Sequence, residues 1–293
     1  MPTKEKILFV VNPVAGTKNK DDFSSWVETH LGSKGLVYEI RYTERRGHAV
    51  ELVNEALEQK IRYIVAVGGD GTVNEVARGM VNADAAMGVI PMGSGNGLAR
   101  SLGIPLKISD AIARVSELNE RTIDAGYING EMFLCTAGVG FDAHIGKCFE
   151  FAEGRGLSTY VREGLKEFAK YKPLSYRIES DGKSVEREAF ALTFANAPQY
   201  GNNAYISPNA DMSDGLLDMC LVEPFTMVEA LVLVTELFTK NIHRNERVRI
   251  TRVKEVKVLS PESDCFHVDG EYRPLEGGEI NVRVSEGALK VLV

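Results

Sequence analysis

The run Gly68-Gly69-Asp70-Gly71-Thr72 is where this sequence most plainly offers chemistry. It follows an apolar stretch at 63–67 and leads into a helical pattern beginning near Val73, so it reads as a glycine-rich turn between a buried strand and a helix. Glycines let a backbone approach a bound anion closely, and the N–H groups at a helix start favour negative charge. Such a turn suits phosphate. Asp70 beside a phosphate is unfavourable unless a magnesium ion or a proton-transfer role compensates it. The competing reading of one such loop is a plain turn whose glycines supply positive φ. Two further loops weigh against it: Gly93-Ser94-Gly95-Asn96-Gly97 also joins a strand to a helix, and Asn12-Pro13-Val14-Ala15-Gly16 closes the first strand. In a parallel sheet all three gather on one edge.

Carboxylates form the second group of candidates. Asp269 and Glu271 flank a glycine, so on a turn or an extended segment their side chains could face the same way, putting two carboxylates together near the cleft with one of them as a base; a solvated acidic turn is the alternative. Asp211 and Asp214 lie three apart beside Gly215, and hard oxygen donors at that separation suit magnesium, although Asp-x-x-Asp alone is more often a solvated turn. The five histidines show no metal-ligand spacing and read as surface or capping residues. Arg100 is placed to reach a phosphate or to make a surface ion pair.

The elements that must position these residues follow from hydrophobic patterning. Residues 1–128 alternate short apolar runs (7–11, 38–42, 63–67, 87–90) with helical patterns (22–30, 48–59, 73–80). This rhythm predicts an α/β domain with a mostly parallel sheet, whose ligands sit at the carboxyl ends of the strands. From 129 to 293 the pattern changes to short alternating segments punctuated by Gly, Asn and Pro, which predicts a mainly antiparallel β-sandwich. Helical stretches at 157–171 and 226–239 interrupt it. The second, with Phe225 just before it, carries Met227, Val228, Leu231, Val232, Val234, Leu237 and Phe238, a broad apolar surface that reads first as core packing with a remainder available to lipid.

Composition narrows the function. At 293 residues the chain exceeds a typical domain of about 100–150, which fits two domains. A net charge of −7 argues against a general nucleic-acid binder. The four cysteines are scattered and form no CxxC or zinc pattern, which predicts a reducing, cytoplasmic setting. The run 7–11 is too short for a signal-peptide core, and 225–238 is broken by Glu229 and Glu236, so neither export nor a membrane span is expected.

The ordered set of motifs resembles the diacylglycerol kinase catalytic-domain superfamily, which includes bacterial lipid kinases and sphingosine kinases. It comprises Asn12-Pro13 with Gly16, Gly68-Gly69-Asp70-Gly71-Thr72 with Asn74-Glu75, Gly93-Ser94-Gly95-Asn96, Gly138-Val139-Gly140-Phe141-Asp142, Asp214-Gly215-Leu216-Leu217-Asp218 and Asp269-Gly270-Glu271. The resemblance spans nearly the whole chain. GGDGT is shared with NAD kinases and phosphofructokinases, and the two later Asp-Gly motifs favour the lipid-kinase branch. The resemblance implies an NAD-kinase-like first domain, ATP and Mg2+ as cofactors, and γ-phosphate transfer to a lipid hydroxyl by a peripheral enzyme at a membrane surface. It implies that the amides of Gly68 to Thr72, the Asn12 to Gly16 turn, Ser94 and Thr43 hold ATP. It gives the base as Glu271 on the bacterial diacylglycerol-kinase pattern and as Asp70 on the sphingosine-kinase pattern. It also implies a structural magnesium on Asp211, Asp214 and the Leu216 carbonyl. The 93–98 loop pulls toward sphingoid bases. His144, where sphingosine kinases carry an acidic residue, pulls toward a diacylglycerol-type lipid, and that is the expectation adopted over a sphingoid base. An NAD-kinase-type enzyme and a catalytically silent lipid-binding protein are the alternatives, and a homodimer is left open.

Overall fold

The computed structural model describes residues 5–16, 23–150, 164, 166–168, 170–260 and 262–293. They form two compact units, Met1–Ile123 with Gly287–Val293, and Asp124–Glu286. The sequence pattern divides the chain once, after residue 128. The structure returns the last residues to the first unit, where Lys290 and Val291 pair with Ala86 and Met87.

In the first unit, β1 (Lys6–Val11), β2 (Val37–Tyr42), β3 (Tyr63–Gly68) and β4 (Ala86–Pro91) form a parallel sheet in the order β2-β1-β3-β4. β3 and β4 are buried at every position, as continuous apolar strands are when helices cover both faces. The helices are α1 (Phe23–Val27), α2 (His48–Glu58), α3 (Asp70–Met80), α4 (Gly97–Ser101) and α5 (Ile108–Val115). α2 packs on α3, and α3 on β3 and β4, while α5 packs on α1 and β4. The helix expected over 22–30 is short: α1 passes into a π-helical turn, Glu28–Gly32. Because the strands are parallel, their carboxyl ends lie together, and the loops that follow β1, β3 and β4 are neighbours.

The second unit takes up β5 (Glu120–Ile128), β6 (Glu131–Phe133), β7 (Thr136–Gly140), β8 (Leu174–Ser180), β9 (Lys183–Ala189) and β10 (Ala191–Ala195). It continues with β11 (Leu217–Val222), β12 (Val248–Val253), β13 (Glu255–Leu259), β14 (Cys265–Val268), β15 (Glu271–Pro274) and β16 (Glu279–Leu292). One antiparallel sheet runs β12-β11-β10-β7-β14-β15. The first part of β16 pairs with β13, which continues to β8 and β9, and β5 pairs with β6. Val139, Tyr176, Phe194, Val258, Phe266 and Ile280, drawn from both sheets, share one core. This is the expected sandwich. Among the described residues it is accompanied by α6 (Phe141–Glu150), which packs on β7, β14 and β15, and by α7 (Met227–Phe238). Leu233 of α7 joins Phe190, Cys220 and Val248 in a second cluster. The helix expected over 157–171 lies largely outside the described residues, of which 164 and 166–168 are helical.

Candidate active site

The glycine loops of the first unit are stitched to one another. Asn12, just past β1, donates from Nδ2 to Thr72 Oγ1 at 3.0 Å and accepts the Val14 N–H on Oδ1 at 3.0 Å, so the first loop is tied to the second. Pro13 and Val14 stay exposed at its tip. Gly16 sits at φ +66°, and a Cβ there would lie 1.9 Å from the Met92 carbonyl oxygen, so only glycine fits. Gly68 is packed under the Thr72 side chain, and the Cα of Gly69 is so near Gly93 that a Cβ on Gly93 would meet it at 2.7 Å.

Asp70 is the first residue of α3 and braces the third loop. Its Oδ2 accepts the Asn96 N–H at 2.9 Å and its Oδ1 accepts the Gly97 N–H at 2.7 Å. One carboxylate thus sits at the N-termini of α3 and α4, where negative charge is favoured. A Cβ on Gly95 would come within 2.8 Å of Oδ2, so that glycine is needed for the brace. Asn96, left-handed at φ 50°, bonds Gly93 through both ends of its amide, and Ser94 is exposed between them. Arg100 is turned back on its own loop, donating to the Gly95 carbonyl at 3.0 Å.

Further along α3, Asn74 is buried, while Glu75 accepts the Gly47 N–H at 2.9 Å. Gly47 lies in the loop after β2 that begins at Thr43, whose own N–H donates to Val11 at 2.9 Å. Gly71 lies in the first turn of α3. The structure therefore brings every expected first-unit residue, from Asn12 to Asn96, to one sheet edge as a single hydrogen-bonded rim.

In the second unit Asp269 and Gly270 join β14 to β15 in a two-residue hairpin turn, both at positive φ (49° and 84°), a geometry that Asp-Gly favours. The two carboxylates of this turn meet different partners. Asp269 Oδ1 accepts the N–H groups of Cys135 at 2.8 Å and Thr136 at 3.1 Å, and Oδ2 accepts that of Leu134 at 3.0 Å. Glu271, on β15, is half-exposed, and its Oε2 accepts from Arg273 Nη2 at 3.1 Å.

Beside this hairpin lies a network that the sequence reading missed. Asp142 Oδ2 accepts from Thr193 Oγ1 at 2.6 Å, Tyr200 OH at 3.4 Å and His267 Nε2 at 3.1 Å. His267 is 2% exposed, so it is neither a surface nor a capping residue as expected. Its Nδ1 accepts the Gly270 N–H at 3.4 Å, which leaves Nε2 to carry the proton toward Asp142. The register His267↔Gly138 helps explain the fit: at Gly138 a Cβ would lie 3.0 Å from Asp142 Oδ2. The signal in the sequence was the glycine pair Gly138 and Gly140 ahead of Asp142, but its partners come from β10 and β14.

His144 is also corrected. It stands one turn from Cys148 on α6, with Nε2 3.7 Å from the Cys148 sulfur and 3.1 Å from Glu167 Oε2. These three ligand atoms lie within 4.8 Å of one another, a spacing among His and Cys that the sequence reading had dismissed. Hydrogen bonds from His144 and then Lys170 hold Glu167 below the usual carboxylate range.

The expected magnesium residues occupy an exposed turn. Asp211 Oδ1 accepts the Ser213 N–H and Asp214 Oδ1 accepts the Leu216 N–H, both at 3.0 Å. The turn is anchored from below by Asp124, 1% exposed, whose Oδ2 accepts the Gly215 N–H at 2.8 Å. Asp214 Oδ2 lies 3.7 Å from Arg252, which also approaches Asp218 at 3.8 Å. Burial pushes the Asp218 carboxyl up. Two exposed carboxylates and a backbone carbonyl are hard oxygen donors, so this donor set fits magnesium.

Comparison with known proteins agrees with the motif order. Residues 6–128 match the diacylglycerol kinase catalytic domain, and residues 135–293 match the YegS C-terminal NAD kinase β-sandwich-like domain. A Pseudomonas aeruginosa protein named "Probable lipid kinase YegS-like" is 34% identical over 86% of this chain and 83% of its own. The diacylglycerol kinase of Bacillus subtilis is 28% identical over 92% and 91%. An uncharacterized Synechocystis protein is 31% identical over 89% of this chain, which spans 64% of that protein's length. The crystal structure of a diacylglycerol kinase from Bacillus anthracis shares the fold with a TM-score of 0.72 at 22% identity, covering 98% and 96% of the two chains. Another crystal structure from that organism reaches 0.81 at 22% identity, covering 100% and 98%. The chain belongs to the lipid kinase family that joins a diacylglycerol kinase catalytic domain to a YegS-type β-sandwich domain.

Proposed function

We propose that this lipid kinase transfers the γ-phosphate of ATP to the hydroxyl of a diacylglycerol-type lipid, working peripherally at the cytoplasmic face of a membrane. The observation that carries the reading is the hydrogen-bonded rim of three glycine loops at the carboxyl edge of a parallel sheet, with Asp70 spanning two helix N-termini. Phosphoryl transfer asks mainly for positioning and charge neutralisation. In this reading the Asn12–Gly16 and Gly68–Thr72 backbones, with Thr43 and Ser94, hold the nucleotide. Magnesium, when bound, offsets phosphate charge; the turn bearing Asp211, Asp214 and the Leu216 carbonyl holds a structural ion.

Glu271 is the base that takes the proton from the lipid hydroxyl. Support comes from the contrast with Asp70, whose two oxygens accept backbone amides that hold the loops together, whereas Glu271 is half-exposed on a strand. Preference for a neutral acceptor is supported by Asp142 and His144. Asp142 Oδ2 already receives three donors, and His144 is engaged with Glu167, so neither offers a free anion to a sphingoid amine.

The test is label transfer from γ-labelled ATP, with magnesium, into mixed micelles containing diacylglycerol, a sphingoid base, ceramide or no lipid, with NAD as a separate soluble acceptor. Labelled phosphatidic acid is the expected product. Label in the sphingoid base would overturn the acceptor choice, label only in NADP would move the enzyme to nucleotide kinases, and no label anywhere would favour a silent binder.

A further inference from the structure

α7 wears its polarity inside out. Of the ten large apolar side chains that are exposed among the described residues, six are on this twelve-residue helix: Met227, Val228, Leu231, Val232, Val234 and Phe238, each between 42% and 75% exposed. At 100° per residue they fall on one continuous outward arc with Thr235 and Thr239 and no charge among them. Both acids of the helix lie on its flanks, turned to the protein: Glu229 closes the capping box with Thr226 and accepts from Arg247 at 2.8 Å, and Glu236 accepts from Asn245. A helix at a water boundary places its charges outward. Here only Leu233 is buried, and the apolar majority faces away from the chain. A contiguous patch of this kind marks a contact surface.

We propose that α7 is the membrane-docking surface of this enzyme, lying flat in the interface of a bilayer that carries anionic lipid. Three observations select that occupant. The helix is about 18 Å long, too short to cross a hydrocarbon core of about 30 Å but suited to lying in its interface. Basic groups rim it: Lys240 follows its last turn, Arg244 is exposed in the adjoining 3-10 turn, and Arg247 is bonded to its flank. The two acids of the helix are engaged with Arg247 and Asn245, which leaves the exposed Lys240 and Arg244 beside its last turn against the exposed Glu246 alone, in a chain whose net charge is −7, a local excess of positive charge complementary to anionic headgroups. A second copy is the weaker occupant, because a strip about 18 Å by 10 Å falls well short of the roughly 800 Å² per partner that a stable interface buries. The proposal rests on the lipid-kinase reading, since it supplies the surface by which the enzyme meets a substrate held in a bilayer.

Flotation of the full chain with phosphatidylcholine vesicles, with and without phosphatidylglycerol, tests it alongside label transfer to dioctanoyl diacylglycerol in solution and to long-chain diacylglycerol in vesicles. The wild type is expected to float with the anionic vesicles. V228E/L231E, and the milder V228S/L231S should the first fold poorly, should lose at least roughly tenfold of that binding and of vesicle-substrate activity while keeping activity on the soluble lipid. K240E/R244E should lose roughly fivefold or more of binding to anionic vesicles only. Equal flotation of wild type and both α7 variants, with label still entering the soluble lipid, would overturn the docking surface and leave the kinase reading intact. Flotation through α7 without label in any lipid would overturn the kinase reading instead. A wild-type dimer that V228E/L231E converts to a monomer, with no vesicle binding, would assign the face to a second copy and overturn the proposal.

Discussion

The rim of glycine loops in the first unit and the β14–β15 hairpin of the second both place carboxylates by backbone amides, but they gather those amides differently. In the rim, each partner belongs to a short motif that is recognisable by itself: Asp70 from one glycine loop, Asn96 and Gly97 from the next. In the hairpin, Asp269 reaches back more than 130 residues to the amides of Leu134, Cys135 and Thr136, and the neighbouring Asp142 gathers Thr193, Tyr200 and His267 from distant strands. A parallel sheet aligns loop motifs automatically, because every βα loop emerges at the same edge. An antiparallel sandwich brings residues together by cross-strand register, which no local spacing reveals.

The comparison predicts that a carboxylate bracing two loops and a half-exposed one on a strand fail differently. Glu271→Gln should leave ATP affinity in place and lower kcat by roughly 10²–10⁴, the usual worth of a general base. Asp70→Asn removes one of two amide acceptors and should raise KM for ATP together with any fall in kcat, because the loops holding the nucleotide loosen. Full steady-state kinetics on both variants separates the cases. Unchanged turnover in Glu271→Gln would transfer the base role to Asp70 and erase the contrast between brace and base.

The next effect is on stability. Asp269→Ala strands three backbone N–H groups and should cost about 3 kcal/mol in urea unfolding, given about 1–3 kcal/mol for each donor left without a partner and some relief from water. Asp269→Asn keeps one acceptor oxygen and should cost less. A negligible loss in both would mean that the hairpin is held by its turn alone.

Legibility in the sequence followed the same divide. Tyr63–Gly68 and Ala86–Pro91 read as buried parallel strands because their apolar runs are continuous, and the three glycine loops announced the rim through residue types that nothing but close approach or positive φ requires. In the second unit the sandwich was visible as alternation, yet His267 was taken for a surface residue because its burial depends on Gly138 across the sheet. The amides of Leu134 to Thr136 that Asp269 gathers lie more than 130 residues away and leave no local mark beside the Asp-Gly turn. The return of the last strand to the first unit is a pairing with Ala86 and Met87 some 200 residues away, and carries no local mark.

Gly16→Ala probes the local side of the comparison with a smaller change. Its Cβ would collide with the Met92 carbonyl, and φ +66° adds backbone strain, so unfolding should cost about 1–3 kcal/mol. The loop is short and its tip exposed, so relief by local movement should keep the loss below that of Asp269→Ala and show itself as a higher KM for ATP. A loss equal to or above the Asp269 variant would break the rule that sequence-distant contacts carry more of the stability than loop motifs.

The smallest effect concerns a local motif inside the long-range unit. Thr226 and Glu229 form a capping box at the start of α7, a signature legible three residues apart. Backbone and side-chain hydrogen bonds, first from the Thr226 N–H and then from Arg247, hold the Glu229 carboxyl down to about 2 from an ordinary 4.5. Its folded pKa is depressed, so its contribution is fully present above 4.5 and is lost as pH falls from there through about 2. Glu229 is exposed to solvent, so screening keeps the contribution small. The protection factor against amide exchange at the first turn of α7, referred to the intrinsic rate at each pH, should therefore fall between pH 4.5 and 2, and Glu229→Gln should abolish that pH dependence without moving protection in β14 or β15. Acid-driven opening that reached the hairpin at the same pH would mean that the cap is coupled to the cross-strand network, and local motifs in the second unit would then carry long-range weight after all.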